Sequence, residues 1–407
     1  MKYILFALIA IVLLSGCSQK APENAQIANP ASVYCEEHSG TLELRNAPEG
    51  QTGYCKFADG TECEEWAYYR GECPRKATTK EVEVEPAAET NEEQNPVSIS
   101  SSIESNCIGF VIGGEDEAST IAQAKAAWER PHEGPFVWER IEPSKGEFDF
   151  EKTDRWVQAA QENNVAILAT VWPYAGWDQS KCHDASCEVA SNDQFYPYEK
   201  MGYNGGIPKS RCKPCSMEDY KTFVTKLVER YDGDGKEDME GLETPIKYWE
   251  VLNEPEMKGG DLAFFKGTEA EYAEILSQSY SAIKAACPNC KVLHAGAAGT
   301  EDWMLAFWGK VFDSSKDFDI ANIHFIMMGD KATLNVKDFK ALLASKGISK
   351  PIWVTEAEYE SSADVASSFS GALKEGASKV FFTRFEVGKR GPPTPGVVDL
   401  AYDGLKC

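Results

Sequence analysis

The chain predicts an α/β protein: a (β/α)8 TIM barrel preceded by a small disulfide-rich N-terminal domain. From Cys107 onward, short β-branched or aromatic runs alternate with longer amphipathic ones, filling about 300 residues, the size of such a barrel. Two glutamates, Glu254 and Glu356, each come where an apolar run should stop, and their separation of 102 positions holds three strand-plus-helix units. Ahead of the barrel, Cys35, Cys55, Cys63 and Cys73 crowd into 39 residues, too few to bury much core without covalent help.

The first barrel strand is expected at 107–112, then a helix at 118–126, a second strand at 127–130, a helix at 153–163 and a third strand at 165–171. After a long loop come a helix at 217–231 and a fourth strand at 246–252. The second half continues with a helix at 269–286, strand 291–295, helix 303–312, strand 320–325, helix 336–345, strand 352–355, helix 363–375 and strand 379–385. Glu254 and Glu356 thus fall at the fourth and seventh strands, and barrel sites form at the C-terminal ends of strands. Two carboxyl groups roughly 5 Å apart suffice for retaining glycoside hydrolysis, one as proton donor and one as nucleophile.

The motifs Asn253-Glu254-Pro255 and Thr355-Glu356, with the segment Trp138-Glu-Arg-Ile-Glu-Pro143-Ser-Lys-Gly146-Glu-Phe-Asp149, resemble the signatures of the clan A retaining glycoside hydrolases. The resemblance covers roughly residues 107–406 and implies a β-glycosidase acting on a polysaccharide or oligosaccharide by double displacement. It implies Glu254 as general acid/base, Glu356 as nucleophile, Asn253 as the partner of the sugar 2-hydroxyl, and Arg130 as the arginine that keeps the nucleophile ionised. His324 matches a frequent active-site histidine. The chain departs from the clan at Ile326, where an aromatic is common. It departs again in Phe382-Thr-Arg-Phe385, where a tryptophan usually floors the sugar site. Those departures give a second reading, a non-catalytic carbohydrate-binding or adhesion lipoprotein on a barrel scaffold. Among tryptophans placed to stack on sugar rings (Trp138, Trp172, Trp177 and Trp303), Trp172 and Trp177 are the first choices because they follow the third strand directly.

Lys2, the apolar stretch from Tyr3 to Leu14 and then Leu14-Ser15-Gly16-Cys17 form a secretory signal too short to span a membrane as a helix. It resembles a lipoprotein signal, in which Cys17 is lipidated and anchors an exported protein to a membrane. The segment 28–75 resembles a small lipoprotein module of unknown function, sometimes labelled a haemolysin, which implies no chemistry. Residues 76–105 carry seven glutamates and two lysines with few large apolar residues, and read as an acidic flexible linker.

Twelve cysteines remain besides Cys17, an even number that suits an oxidising compartment. Cys182 and Cys187, with Cys212 and Cys215, have spacing compatible with zinc, although export favours disulfides. Cys287-Pro-Asn-Cys290 is expected to be a structural bridge. Cys107 and Cys407 are left over and would close the barrel ends. Asp232, Asp234 and Asp238, alternating with glycines, form a candidate structural calcium site that is not an EF-hand, since Lys236 stands at its fifth position. A formal net charge of -24 disfavours binding to nucleic acid, and no organic cofactor is implied.

Overall fold

The computed structural model describes residues 31–32, 35, 41–47, 50–57, 61–69, 97–189, 207–258, 263–389 and 393–407. The signal segment with Cys17, most of the acidic linker and Cys73 lie outside them. The chain divides into two compact units, Met1–Thr90 and Asn91–Cys407.

In the first unit, β1 (Thr41–Ala47), β2 (Gly50–Lys56) and β3 (Glu62–Glu64) make an antiparallel sheet followed by a short helix, Glu65–Tyr69. Its core is small: Cys35, Cys55, Phe57 and Cys63. Cys35 and Cys55 are bridged, and Cys63 is also disulfide-bonded.

The second unit is the expected barrel. Its strands are β4 (Ile108–Ile112), β5 (Trp128–Pro131), β6 (Ala166–Val171), β7 (Tyr248–Val251), β8 (Lys291–His294), β9 (Ala321–Ile326), β10 (Ile352–Glu358) and β11 (Ala377–Phe382). Neighbours pair in parallel in the order β8-β7-β6-β5-β4-β11-β10-β9. Parallel bridges from Leu293 to Ile320 and from Ala297 to Ile323 close the ring between β8 and β9. Helices alternate with the strands and lay apolar stripes on the barrel. The helix Glu269–Ala286 begins on a capping box in which Thr268 and Glu271 exchange side-chain-to-backbone hydrogen bonds.

The barrel interior is layered. Its floor is apolar, with Ile103, Trp128, Leu168, Leu293, Trp353 and Phe381 in one buried cluster. Gly109 leaves room for the Phe381 ring, which a Cβ there would meet at 2.4 Å. Residues 97–105, which composition assigns to the linker, belong to this floor. The helix Ser101–Ser105 buries Ile103, the Trp128 indole donates to the Ile103 carbonyl at 3.0 Å, and the Lys379 ammonium donates to the Glu104 and Asn106 carbonyls. Ile103, with Ile99 and Val97 packed against the barrel cores, and backbone hydrogen bonds hold a segment that is otherwise polar.

β10 contains a bulge: Val354 pairs with Ile323, yet Glu356 pairs with His324, so Thr355 is one residue extra. A bulge breaks the in-out alternation of a strand. Both Thr355 and Glu356 therefore reach groups inside the barrel.

The cysteines of the barrel pair as Cys107–Cys407, Cys182–Cys215, Cys187–Cys212 and Cys287–Cys290. The terminal pairing and the short bridge are as expected, and disulfides displace the zinc alternative for the loop cysteines. Because the Cys107–Cys407 bridge joins residues 300 apart, Cys407→Ser should lower stability by about 2–4 kcal/mol. Thermal unfolding of the variant beside the native protein checks this.

Candidate active site

Above the apolar floor lies a buried polar layer. Arg130, from β5, is fully buried and makes three contacts: Nε to Glu250 Oε2 at 2.8 Å, Nη1 to Glu356 Oε1 at 2.8 Å and Nη2 to Asn253 Oδ1 at 2.6 Å. Burial alone lowers the guanidinium pKa, but Glu250 and Glu356 outweigh it and pull the pKa upward. Glu250 is saturated. Its Oε2 also accepts from the Thr170 hydroxyl, and its Oε1 accepts from Asn322 Nδ2 and lies 3.2 Å from Thr355 Oγ1.

Glu254 lies just beyond β7 and Glu356 near the end of β10, as the strand reading expects. His324 bridges them to the polar layer: Nδ1 is 2.7 Å from Glu254 Oε1 and 3.7 Å from Glu356 Oε1, and Nε2 is 2.9 Å from Thr355 Oγ1. Donor atoms of Glu254, Glu356 and His324 lie within 4.8 Å of one another. Such a cluster could also hold a cation, but the Arg130 guanidinium already supplies the positive charge at Glu356.

The chain bends sharply to present Glu254. Leu252 has φ 70° and Glu254 φ 37°, left-handed conformations that cost about 1–3 kcal/mol each in non-glycine residues and cluster at functional sites. Burial raises the Glu254 pKa from near 4.5 to about 7, with Arg130 opposing and Glu250 reinforcing. Burial raises Glu356 as well, but His324 and Arg130 pull it back. Burial lowers His324 to about 4, so the ring is neutral.

Gly296, just after β8, leaves the space that the His324 ring fills, since a Cβ there would lie 1.8 Å from Nε2. Gly296→Ala should therefore displace the ring and cost about 1–3 kcal/mol, read by urea unfolding.

The structure brings Arg130, Asn253, Glu254, His324 and Glu356 into one cluster. Trp172 and Trp177 do not join them as stacking faces. Trp172 is fully buried, donating to the Glu133 carbonyl and packing on His132 and Phe264. The Trp177 ring meets Trp138 edge-on at 5.2 Å, donates to the Glu142 carbonyl and is covered by Lys181. Both rings are taken up by packing and hydrogen bonds with the residues after β5, and the loop after β6 is cross-linked within itself by two disulfides. Trp138, also fully buried, donates to Glu142, whose other oxygen accepts from the Gly146 amide, so this part of the signature segment ties a loop. Trp303 is 49 % exposed. At the end of the eighth strand, where the clan's tryptophan is missing, Arg384 pairs with Glu358 at 3.3 Å.

Sequence reading missed Glu250, Asn322, Thr355 as a contact residue, and Glu256. Glu256 is buried, accepts from the Ala298 amide and the Trp308 indole, and is pushed up to about 8 by burial. An acidic residue two or four positions from Asn253-Glu254 was the available signal.

Asp232, Asp234 and Asp238 do cluster, with donor atoms within 4.8 Å. Their oxygens are engaged by the turn itself: Asp238 accepts from the Gly233 and Gly235 amides, Asp232 from the Asp234 amide, and Asp234 from the Lys236 amide and ammonium. This is an acidic turn braced by its own donors, with the Lys236 ammonium already at Asp234.

Similar solved structures include a glucosidase from Croceicoccus marinus (14% identity, TM-score 0.48, 69% of this chain and 60% of that one). Another is a family 39 glycoside hydrolase from Bacteroides cellulosilyticus WH2 (15%, TM-score 0.45, 82% and 62%). An endo-beta-1,4-mannanase from Thermotoga petrophila is similar at 15% identity, with TM-score 0.44, 68% of this chain and 67% of that one. The chain spans less than two thirds of the first two. Residues 26–72 match the model described as a domain of unknown function, DUF333. YoaF, an uncharacterized protein of Escherichia coli strain K12, is 41% identical over 80 residues, which make up 18% of this chain and 95% of YoaF. The same figures hold for YoaF of Shigella flexneri. Through this cysteine-rich segment, ahead of its (β/α)8 barrel, the chain belongs to the DUF333 family.

Proposed function

We propose that the barrel is a retaining β-glycosidase that hydrolyses O-glycosidic bonds of a polysaccharide or oligosaccharide. The observation that carries the reading is the approach of Glu254 and Glu356, with carboxylate oxygens within 4.8 Å at the strand mouths. Retaining enzymes need carboxyl groups roughly 5–5.5 Å apart, whereas inverting ones leave room for a water.

Glu356, held by Arg130, attacks the anomeric carbon while Glu254 gives its proton to the departing glycosidic oxygen. Water then attacks the glycosyl-enzyme, Glu254 takes its proton, and the bond to Glu356 breaks. Asn253, oriented by Arg130, faces the sugar 2-hydroxyl. The raised pKa of Glu254 suits the acid role, because an ordinary carboxyl would be empty of its proton near neutrality.

Proton NMR of the anomeric signal early in hydrolysis tests the reading on a panel of β-linked glycans and aryl glycosides. Retention supports it. Inverted product would remove the double-displacement mechanism. The acid works only while protonated, so kcat/KM should fall as pH rises through about 7. Glu356 works only when ionised, so activity should also fall at the acid end, above the usual carboxylate range. A profile flat between pH 5 and 9 would exclude these roles.

The protein acts, on this proposal, as an exported lipoprotein anchored to the membrane through Cys17, with a carbohydrate partner and no nucleic acid. Disulfides in both units support an oxidising compartment. The rival reading, a surface carbohydrate-binding protein without turnover, draws on the Arg384–Glu358 pair where a sugar platform would stand.

A further inference from the structure

The hydrogen bonds beneath Glu254 have a direction. Asn322 aims Nδ2 at Glu250 Oε1 and at the His294 carbonyl, both acceptors only, so its Oδ1 faces Thr355 Oγ1 at 2.7 Å. Thr355 has one proton. Given to Asn322 Oδ1, or to Glu250 Oε1 at 3.2 Å, it is no longer free for His324. The reverse arrangement would set two unprotonated oxygens, Thr355 Oγ1 and Asn322 Oδ1, against each other at 2.7 Å. His324 Nε2 therefore carries the hydrogen and donates to Thr355. A neutral ring with its proton on Nε2 presents a lone pair at Nδ1, and Glu254 Oε1 lies 2.7 Å from it. That contact is a hydrogen bond only if Glu254 supplies the proton.

We propose that Thr355 is a positioning residue: with Asn322 and Glu250 it fixes the His324 tautomer, and His324 in turn keeps the proton on Glu254 until substrate takes it. The inference rests on the glycosidase reading for its purpose, although not for its geometry. A hydrogen bond made only by the protonated carboxyl favours that form. It also makes Glu254 a better base after the leaving group departs, because the bare carboxylate would then face a lone pair.

Other charged groups surround this chain. Arg130 and His132 approach from β5 and the loop after it, Glu250 from β7, Glu256 from the following loop, His294 from β8 and Glu356 from β10. Arg130 opposes protonation of Glu254, and Glu250 favours it. The tautomer therefore adds to a balance that Thr355 can tip.

The test is nitrogen-15 NMR of the full chain labelled at histidine, where only five histidines need assignment and His324→Gln identifies the signal. The native protein should show a neutral Nε2–H ring at His324 from pH 5.5 to 8. Thr355→Ser should preserve it. Thr355→Val, without an acceptor, should convert the ring to Nδ1–H and lower the Glu254 titration midpoint by about one pH unit, read by carbon-13 labelling of glutamate against Glu254→Gln. On an active substrate the basic limb of kcat/KM should move down equally, whereas a merely structural defect would lower kcat and leave the limb in place. An Nδ1–H ring in the native protein, or an unmoved midpoint in Thr355→Val, overturns the proposal. Both can be read without turnover, so a wrong glycosidase assignment would not be confused with a wrong proton chain.

Discussion

Glu356→Gln should abolish turnover, lowering kcat/KM on the order of 10⁴-fold or more, because it removes the carboxylate placed opposite Glu254 to form the covalent intermediate. Glu254→Gln should fail differently. It keeps the nucleophile but loses the proton donor, so substrates with poor leaving groups should be lost while activated aryl glycosides still form the glycosyl-enzyme. A burst followed by slow release would mark the second step, which also needs Glu254 as base. Both variants preserve side-chain shape, and binding of an unhydrolysed oligosaccharide should survive in each. Equal activity of either variant and the native protein would end the catalytic assignment. No turnover by any form, with binding intact, would favour the binding-protein reading.

Arg130→Met should show the largest effect on folding. The guanidinium is the shared partner of Glu250, Glu356 and Asn253, and both it and Glu250 are fully buried. Removing one side of a buried ion pair leaves an uncompensated charge and typically costs 3–5 kcal/mol, more than the pair itself contributes. Denaturant unfolding should show that loss together with loss of activity. Arg130→Lys retains the charge but cannot fork to three acceptors, and should recover stability only in part. A native-like unfolding midpoint for Arg130→Met would mean that the two glutamates are protonated and need no counter-charge.

The barrel was legible because its helices obey local rules. Glu269–Ala286 has a complete capping box, and Val336–Ser345 a clear apolar stripe, so their bounds follow from the residues themselves. Glu254 and Glu356 were legible as a candidate pair because each ends an apolar run. Thr355 was not, since a bulge is one extra residue in a pairing and leaves no mark on a single strand. Glu250 escaped for a related reason: a charge between Trp249 and Val251 reads as a solvent-facing position, whereas a barrel interior can take it when an arginine and two hydroxyls converge there. Trp172 and Trp177 misled because position after a strand does not say which way a ring turns. The true end of the linker was hidden by its serines, with only Val97, Ile99 and Ile103 among them to announce the barrel.

The Cys107–Cys407 bridge makes the barrel a closed covalent circle. A single protease cut in any loop between those residues opens the circle into one bent strip and releases no fragment, so every strand stays tethered to its neighbours. Between Cys187 and Cys212 a smaller circle sits within the larger one, and a cut there leaves the outer chain doubly fastened. The fold would thus tolerate a nick in its surface loops and keep the two carboxylates on one connected frame.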